Sequence, residues 1–341
     1  MTLPRSYFLP LVLVVMSPTI VRADVKLPSV IASRMVLQQQ TEAPLWGWAE
    51  PGEKVVAEMG DSRAETTANA DGRWSLKLRT PAAGGPFKLV IVGKNTIELT
   101  DVLVGEVWVC SGQSNMVWSV TRSKNPQEEI AAAEYPNIRL FTVGKKPAEQ
   151  PQDDCSGAWE PCSPKTVAGF SAVGYFFGRK LNQELDVPIG LINSSWGGTI
   201  CEAWTCQEKL AENPDFSEIL KRGKPFQANN PNQAANLFNG MIHPLVPFAI
   251  RGAIWYQGES NRGRAQQYAT LFPTMIADWR EHWAQGDFPF YFVQLAPYQY
   301  GDEDPRVLAE LWEAQLKTLK SVPNTGMAVT TDIGDNKDIH T

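Results

Sequence analysis

Residues 102–116 read VLVGEVWVCSGQSNM: a mostly apolar run that ends in a Gly-containing turn followed by Ser114. A short apolar run bounded by a turn signal reads as a buried strand, expected here over residues 102–110. Strand-like segments recur downstream at 138–143, 188–193, 250–256, 289–295 and 327–331. Between them lie helical patterns at 126–135, 171–185, 265–283 and 307–319; in the second, Val173, Phe176, Phe177, Leu181 and Leu185 fall at helical spacing. Strands alternating with helices predict a parallel sheet covered by helices on both faces. In such sheets ligands sit beyond the carboxyl ends of the strands, so the informative loops are those that follow strands.

Upstream the grammar differs. Residues 24–100 carry short alternating runs at 35–37, 44–48, 54–59, 73–78 and 87–92, separated by turn signals at Pro51-Gly52, Asp71-Gly72 and Gly84-Gly85-Pro86. This spacing predicts a small all-β, sandwich-like domain over 24–100, ahead of an α/β domain over 101–341. The first 23 residues read as a signal peptide. Arg5 supplies the positive start, residues 7–16 the apolar stretch, and Val21-Arg22-Ala23 the small residues before a cleavage site. The expected location is therefore secreted or periplasmic, with no membrane attachment after cleavage. An apolar stretch this short falls well below the ~20 residues a spanning helix needs.

Loss of Arg5 and Arg22 with that leader would take the net charge from −6 to −8. The Lys and Arg residues form no cluster, which argues against a nucleic-acid partner. Twelve Trp are read mainly as core, with a few left to stack on sugar rings. Five Cys are present, and export permits disulfides; the short loops Cys155–Cys162 and Cys201–Cys206 are the expected pairs, leaving Cys110 as a buried free thiol. No CxxC occurs and no His lies near these Cys in sequence, so neither zinc nor another metal is expected.

Four post-strand loops concentrate chemistry. Cys110-Ser111-Gly112-Gln113-Ser114-Asn115-Met116 can present a Ser hydroxyl at a tight turn, although it is not the GxSxG elbow. Asn193-Ser194-Ser195-Trp196-Gly197-Gly198-Thr199 lets backbone approach a ligand closely, which suits an oxyanion donor at Gly197. Trp255-Tyr256-Gln257-Gly258-Glu259-Ser260-Asn261 brings two amides and a carboxylate to one strand end. The last loop, 331–340, ends in Asp338-Ile339-His340. Only three His exist. His282 reads as a helix-end residue and His243 as structural, which leaves His340 as the base, oriented by Asp338, with a pH midpoint that a nearby carboxylate would raise.

Together these four blocks resemble the sialate O-acetylesterase family, a branch of the SGNH (GDSL-like) hydrolases. Flanking stretches match too, among them Met35-Val36-Leu37-Gln38, Gly169-Phe170-Ser171-Ala172-Val173 and Asn239-Gly240-Met241-Ile242-His243-Pro244-Leu245, so the likeness runs from about residue 28 to the end. The resemblance implies a three-layer αβα hydrolase domain with an N-terminal β-domain, and cofactor-free removal of O-acetyl groups from sialic acids or related glycans. It implies Ser114 as nucleophile, His340 as base, and an oxyanion site built from the N–H groups of Ser114 and Gly197 with an amide from Gln257 or Asn261. SGNH enzymes commonly place the acid three residues before the His, where this chain has Lys337; Asp338 is therefore the expected acid, with Glu259 and Asp335 as alternatives. The chain also stops one residue past His340, which reads as a fragment or truncated product. An acetylxylan esterase of the same architecture and a non-catalytic glycan-binding protein are the competing expectations.

Overall fold

The computed structural model describes residues 24–222 and 224–340; the expected signal peptide lies outside the described residues. Six strands come first: β1 (Val36–Gln38), β2 (Glu42–Trp48), β3 (Lys54–Met59), β4 (Ser62–Thr67), β5 (Arg73–Arg79) and β6 (Gly84–Val92). β2 and β5 pair antiparallel, with Leu45 opposite Leu76. β5 shows why: Trp74, Leu76 and Leu78 point inward while Arg73, Ser75, Lys77 and Arg79 face water, the period of two that one buried face requires. β3 pairs antiparallel with both β4 and β6.

The next strand, β7 (Thr96–Gly112), is 17 residues long and belongs to both halves of the chain. Its first part pairs antiparallel with β6, Ile97 opposite Ile91, and parallel with β1, Val36 opposite Leu103. Its second part is the centre of a parallel sheet. The boundary expected after residue 100 thus falls inside one unbroken strand. From Val102 to Gly112 all eleven residues are buried. Burial on both faces is what a near-continuous apolar run in a parallel strand predicts.

The remaining strands are β8 (Tyr135–Thr142), β9 (Trp159–Cys162), β10 (Ile189–Ser195), β11 (Gly252–Tyr256), β12 (Phe290–Val293) and β13 (Thr325–Ala328). Their order across the sheet is β13-β12-β11-β7-β10-β8-β9. All neighbours are parallel except the edge strand β9, which is antiparallel to β8. The expected α/β class with a mostly parallel sheet is therefore present. Side chains alternate across the sheet to meet helices on opposite faces. Trp108 of β7 stacks on Tyr291 of β12 and meets Phe177 of the helix Ala172–Leu185 edge-on. Trp255, Phe290 and Phe292 instead pack on Phe272 and Trp279 of the helix Ala265–Trp283. A further helix, Arg306–Ser321, links β12 to β13. β10 and β11 flank β7 and run parallel to it, so the loops after these three strands leave from the same end of the sheet.

Candidate active site

Gly112 ends β7 at φ +138, and a Cβ there would run into the carbonyl of Tyr256, the last residue of the neighbouring β11. Glycine is required by both the backbone angle and the contact. The same carbonyl accepts the Gln113 N–H at 2.9 Å, and Ser114 then opens a one-turn helix, Ser114–Val117. The Gly112 carbonyl accepts the Trp196 N–H at 3.0 Å, which draws the loop after β10 across the turn. Gly197 consequently lies against Ser114: a Cβ built on it would stand 3.6 Å from both Cα and Cβ of Ser114. The Ser114 N–H sits in a first helical turn, where a helix offers no internal acceptor. Neither it nor the Gly197 N–H has an acceptor among the described residues. Two backbone donors thus flank the half-buried Ser114 hydroxyl, which itself has no hydrogen-bond partner among the described residues.

His340 reaches this turn through Asn115. Its Nδ1 lies 2.9 Å from Asn115 Oδ1, and its ring stacks on Trp118 at 4.2 Å between centroids. Asn115 is buried, and its Nδ2 donates to Glu259 Oε1 and to the Ile339 carbonyl, each at 3.0 Å. A backbone carbonyl can only accept, so the amide orientation is fixed and Oδ1 faces the imidazole. The His340 Nδ1 must then carry the proton, which leaves Nε2 as the basic nitrogen. Asp338 stands differently from the expectation: its carboxylate accepts the backbone N–H of His340 at 2.8 Å and acts on the ring through space. The His340 pKa is held below its ordinary value, chiefly by desolvation; Arg122 adds to the lowering and Asp338 opposes it. That reverses the upward shift expected from a neighbouring carboxylate.

Glu259 lies behind Asn115, 4% exposed. Burial pushes its carboxyl up to about 7, against the hydrogen bonds that favour its charge, and Oε2 has no partner. Gln257 and Asn261, expected as side-chain oxyanion donors, are spent elsewhere. Gln257 Nε2 donates to the Thr199 carbonyl at 3.0 Å and to Asn261 Oδ1 at 2.7 Å. Asn261 Oδ1 also accepts the Cys201 N–H, and its Nδ2 donates to the buried Glu202 at 2.8 Å. These two amides fasten the loop that carries Gly197 to the end of β11. Asn115 and Trp118 are the residues that sequence reasoning missed; Asn115 stood inside the quoted Ser114 block, but its contact lies 225 residues away.

The other two His lie apart from Ser114 in their bonding. His243 Nδ1 pairs with the Gln152 carbonyl at 2.8 Å. His282 Nδ1 meets the Asp278 carbonyl at 2.9 Å and its Oδ1 at 3.0 Å. All five Cys are free and buried, so neither expected disulfide forms. Cys206 Sγ instead accepts the Lys209 N–H as a helix cap, and Cys201 Sγ contacts Met275 Sδ at 3.7 Å. The fold also places Cys206, Asp278 and His282 with possible ligand atoms within 4.8 Å of one another, a proximity that sequence spacing had argued against. Asp278 there already accepts the Cys206 N–H at 2.7 Å, so the group serves as a clasp between a loop and the helix Ala265–Trp283.

The family described as carbohydrate esterase, sialic acid-specific acetylesterase matches residues 104–341. The sialate O-acetylesterase of Homo sapiens is 34% identical over 370 residues, covering 95% of this chain and 69% of its own length. That of Mus musculus is 31% identical over 365 residues, covering 90% and 68%. A crystal structure of a carbohydrate acetylesterase from Xanthomonas citri superposes with a TM-score of 0.83 at 38% identity, over 93% of this chain and 71% of that one.

The Gly112 contact gives a direct test. Gly112→Ala is expected to cost about 1–3 kcal/mol of stability, because a side chain must adopt a strained φ and push the Tyr256 carbonyl away. Urea denaturation measures the loss, and labelling of Ser114 by a fluorophosphonate should slow in the same variant. A variant as stable and as reactive as the parent would show that the turn tolerates a Cβ.

Proposed function

Since the chain belongs to the sialic acid-specific acetylesterase family of carbohydrate esterases, which are carboxylic ester hydrolases, we propose that it removes O-acetyl groups from sialic acid or a related acetylated glycan through an acetyl-Ser114 intermediate. The observation that carries this reading is the fixed tautomer of His340: Asn115 Oδ1 takes the Nδ1 proton, which leaves Nε2 free to accept one. In the first step Nε2 takes the Ser114 proton while Oγ bonds to the acetyl carbonyl carbon. The negative charge that develops on the carbonyl oxygen is met by the N–H groups of Ser114 and Gly197. Collapse breaks the bond to the sugar oxygen, which leaves with the proton from His340. Water then attacks the acetyl-serine with the same base, releasing acetate and restoring Ser114. These steps require no cofactor. Asp338 supports the imidazolium through space, and Asn115 with Glu259 orients it. We read the N-terminal strands as a small β-domain set on a three-layer αβα esterase domain, and residues 1–23 as a leader that exports the enzyme.

Ser114→Ala should abolish acetate release from O-acetylated sialic acid, by at least ~10³-fold in kcat, while the protein stays folded. A tenth of the parent rate remaining would remove Ser114 from the nucleophile's role. Acetate from no member of a panel of acetylated sialic acid, xylan and pectin would favour a glycan-binding protein instead.

The pH profile follows from the His340 shift. The base works only when neutral, so kcat/KM should rise with pH and level off once His340 is deprotonated. Because its pKa is lowered, the midpoint should fall below the ordinary ~6.5, not above it. A midpoint above 7 would assign the limb to another group.

The orienting role separates two residues. Asn115→Ala should lower kcat by about 10²-fold or more, since Nδ1 loses its fixed acceptor and the wrong tautomer becomes populated. Asp338→Asn keeps the bond to the His340 backbone N–H and should cost less. The reverse order of losses would return the orienting role to Asp338.

A further inference from the structure

We propose that Arg122 and Lys145 form a cationic rim around Ser114 that selects O-acetylated sugars bearing their own carboxylate over neutral ones; this rests on the esterase reading of the same site. Trp118, whose ring lies against His340, also carries Arg122, with the guanidinium carbon 5.1 Å from the indole centroid. The Trp118 indole N–H donates to the Arg122 carbonyl at 2.9 Å, which ties the two residues together. On the side of the β10 loop, Trp196 precedes the Gly197 that lies against Ser114. Its ring carries Lys145 Nζ at 5.5 Å. Lys145 comes from the loop after β8, the sheet neighbour of β10. Each cation is thus attached to the site through an aromatic residue that is bonded, stacked or adjacent in sequence to the reacting groups.

Their charge balance differs from that of Arg262 and Arg264, the cations that follow β11. Arg262 pairs with Glu303 at 2.6 Å and Arg264 with Glu202 at 2.8 Å. Arg122 and Lys145 make no ion pair with an Asp or Glu among the described residues, and both are exposed. Two positive charges without an ion-pair partner among the described residues stand out in a chain of net charge −6. An exposed cation on an aromatic face is held weakly and can turn to a ligand. A guanidinium can then grip a carboxylate through two parallel N–H donors, and an ammonium can meet it as a point charge. Arg122 and Asp338 act on the same His340 ring with opposite sign. A neutral acetylated xylose unit offers these groups nothing that water does not, whereas an anionic sugar gains both steering and a charge-assisted contact.

The test compares acetate release from an O-acetylated sialic acid with release from its carboxyl methyl ester, on the unaltered protein. Acetylated galacturonic acid and its methyl ester run in parallel to tell which acid is preferred, with an acetylated xylose oligomer as the neutral sugar. The free acids should show kcat/KM about tenfold or more above their methyl esters, mostly through KM, with the gap shrinking as salt is raised. Arg122→Ala and Lys145→Ala should each bring the acid-to-ester ratio toward one, and Arg122→Lys should restore part of it. The ratio is read within each variant, so a general loss of activity does not affect it. Equal rates on acid and methyl ester in the unaltered protein, or a ratio that neither substitution moves, would overturn the rim. No acetate from any sugar, with 4-nitrophenyl acetate inert as well, would instead overturn the esterase reading and the rim with it.

Discussion

A side chain at position 112 would occupy the space of the Tyr256 carbonyl, and this exclusion governs how the central strand can end. Because β7 and β11 approach so closely there, one carbonyl accepts the Gln113 N–H and directs the chain outward at Ser114. The Gly112 carbonyl in turn captures Trp196, so the loop after β10 is drawn to the same point. Three strands therefore fix the positions of Ser114 and Gly197 through backbone bonds. Such bonds depend little on surface side chains, and the strands behind them are buried on both faces. The site is built on the fully buried stretches of these strands.

Around this turn the polar side chains divide their hydrogen bonds between holding loops and orienting His340. Gln257, Asn261 and Glu202 are fully or nearly buried, and each would be costly without partners. They satisfy one another and the backbone of Thr199 and Cys201, which fastens the Gly197 loop to β11. Asn115 performs the second task, with two donors spent on Glu259 and Ile339 and its oxygen turned to the imidazole. A single amide thus links the turn after β7, the β11 loop and the last described loop.

How much of this the amino-acid order reveals depends on the range of the interaction. The helix Ala265–Trp283 is where its apolar periodicity places it, and the strands over 54–59 and 73–79 follow their alternation. The helix after Pro126 stops at Ala131, short of the expected 135, because Tyr135 is already paired in β8. β4, SRAETT, has no apolar alternation to betray it; it forms because β3 needs an antiparallel partner. The four loops bearing Ser114, Gly197, Glu259 and His340 were legible as blocks, and the fold brings them together. Their bonding was not. Gln257 and Asn261 look like oxyanion donors in a list of amides, yet their donors point into the loop behind. The pairing of Cys201 with Cys206 follows from short spacing, but one thiol caps a helix and the other packs on Met275.

The use of an amide at His340 Nδ1, with carboxylates held one step away, has an energetic consequence. A carboxylate bonded directly to Nδ1 would favour the imidazolium strongly and raise the pKa. Here desolvation prevails and the pKa falls, since Asp338 acts only through space and Glu259 only through Asn115. In the proposed mechanism, a lowered pKa keeps the base neutral to lower pH than an ordinary imidazole but gives the imidazolium less support once it forms. Glu259, pushed up to about 7 by burial, exerts its full charge only above neutrality, so even the indirect support varies with pH. An arrangement of this kind trades strength of proton abstraction for a base that is ready over a wider pH range. The stacked Trp118, which excludes water from one face of the ring, is the side chain that enforces the trade.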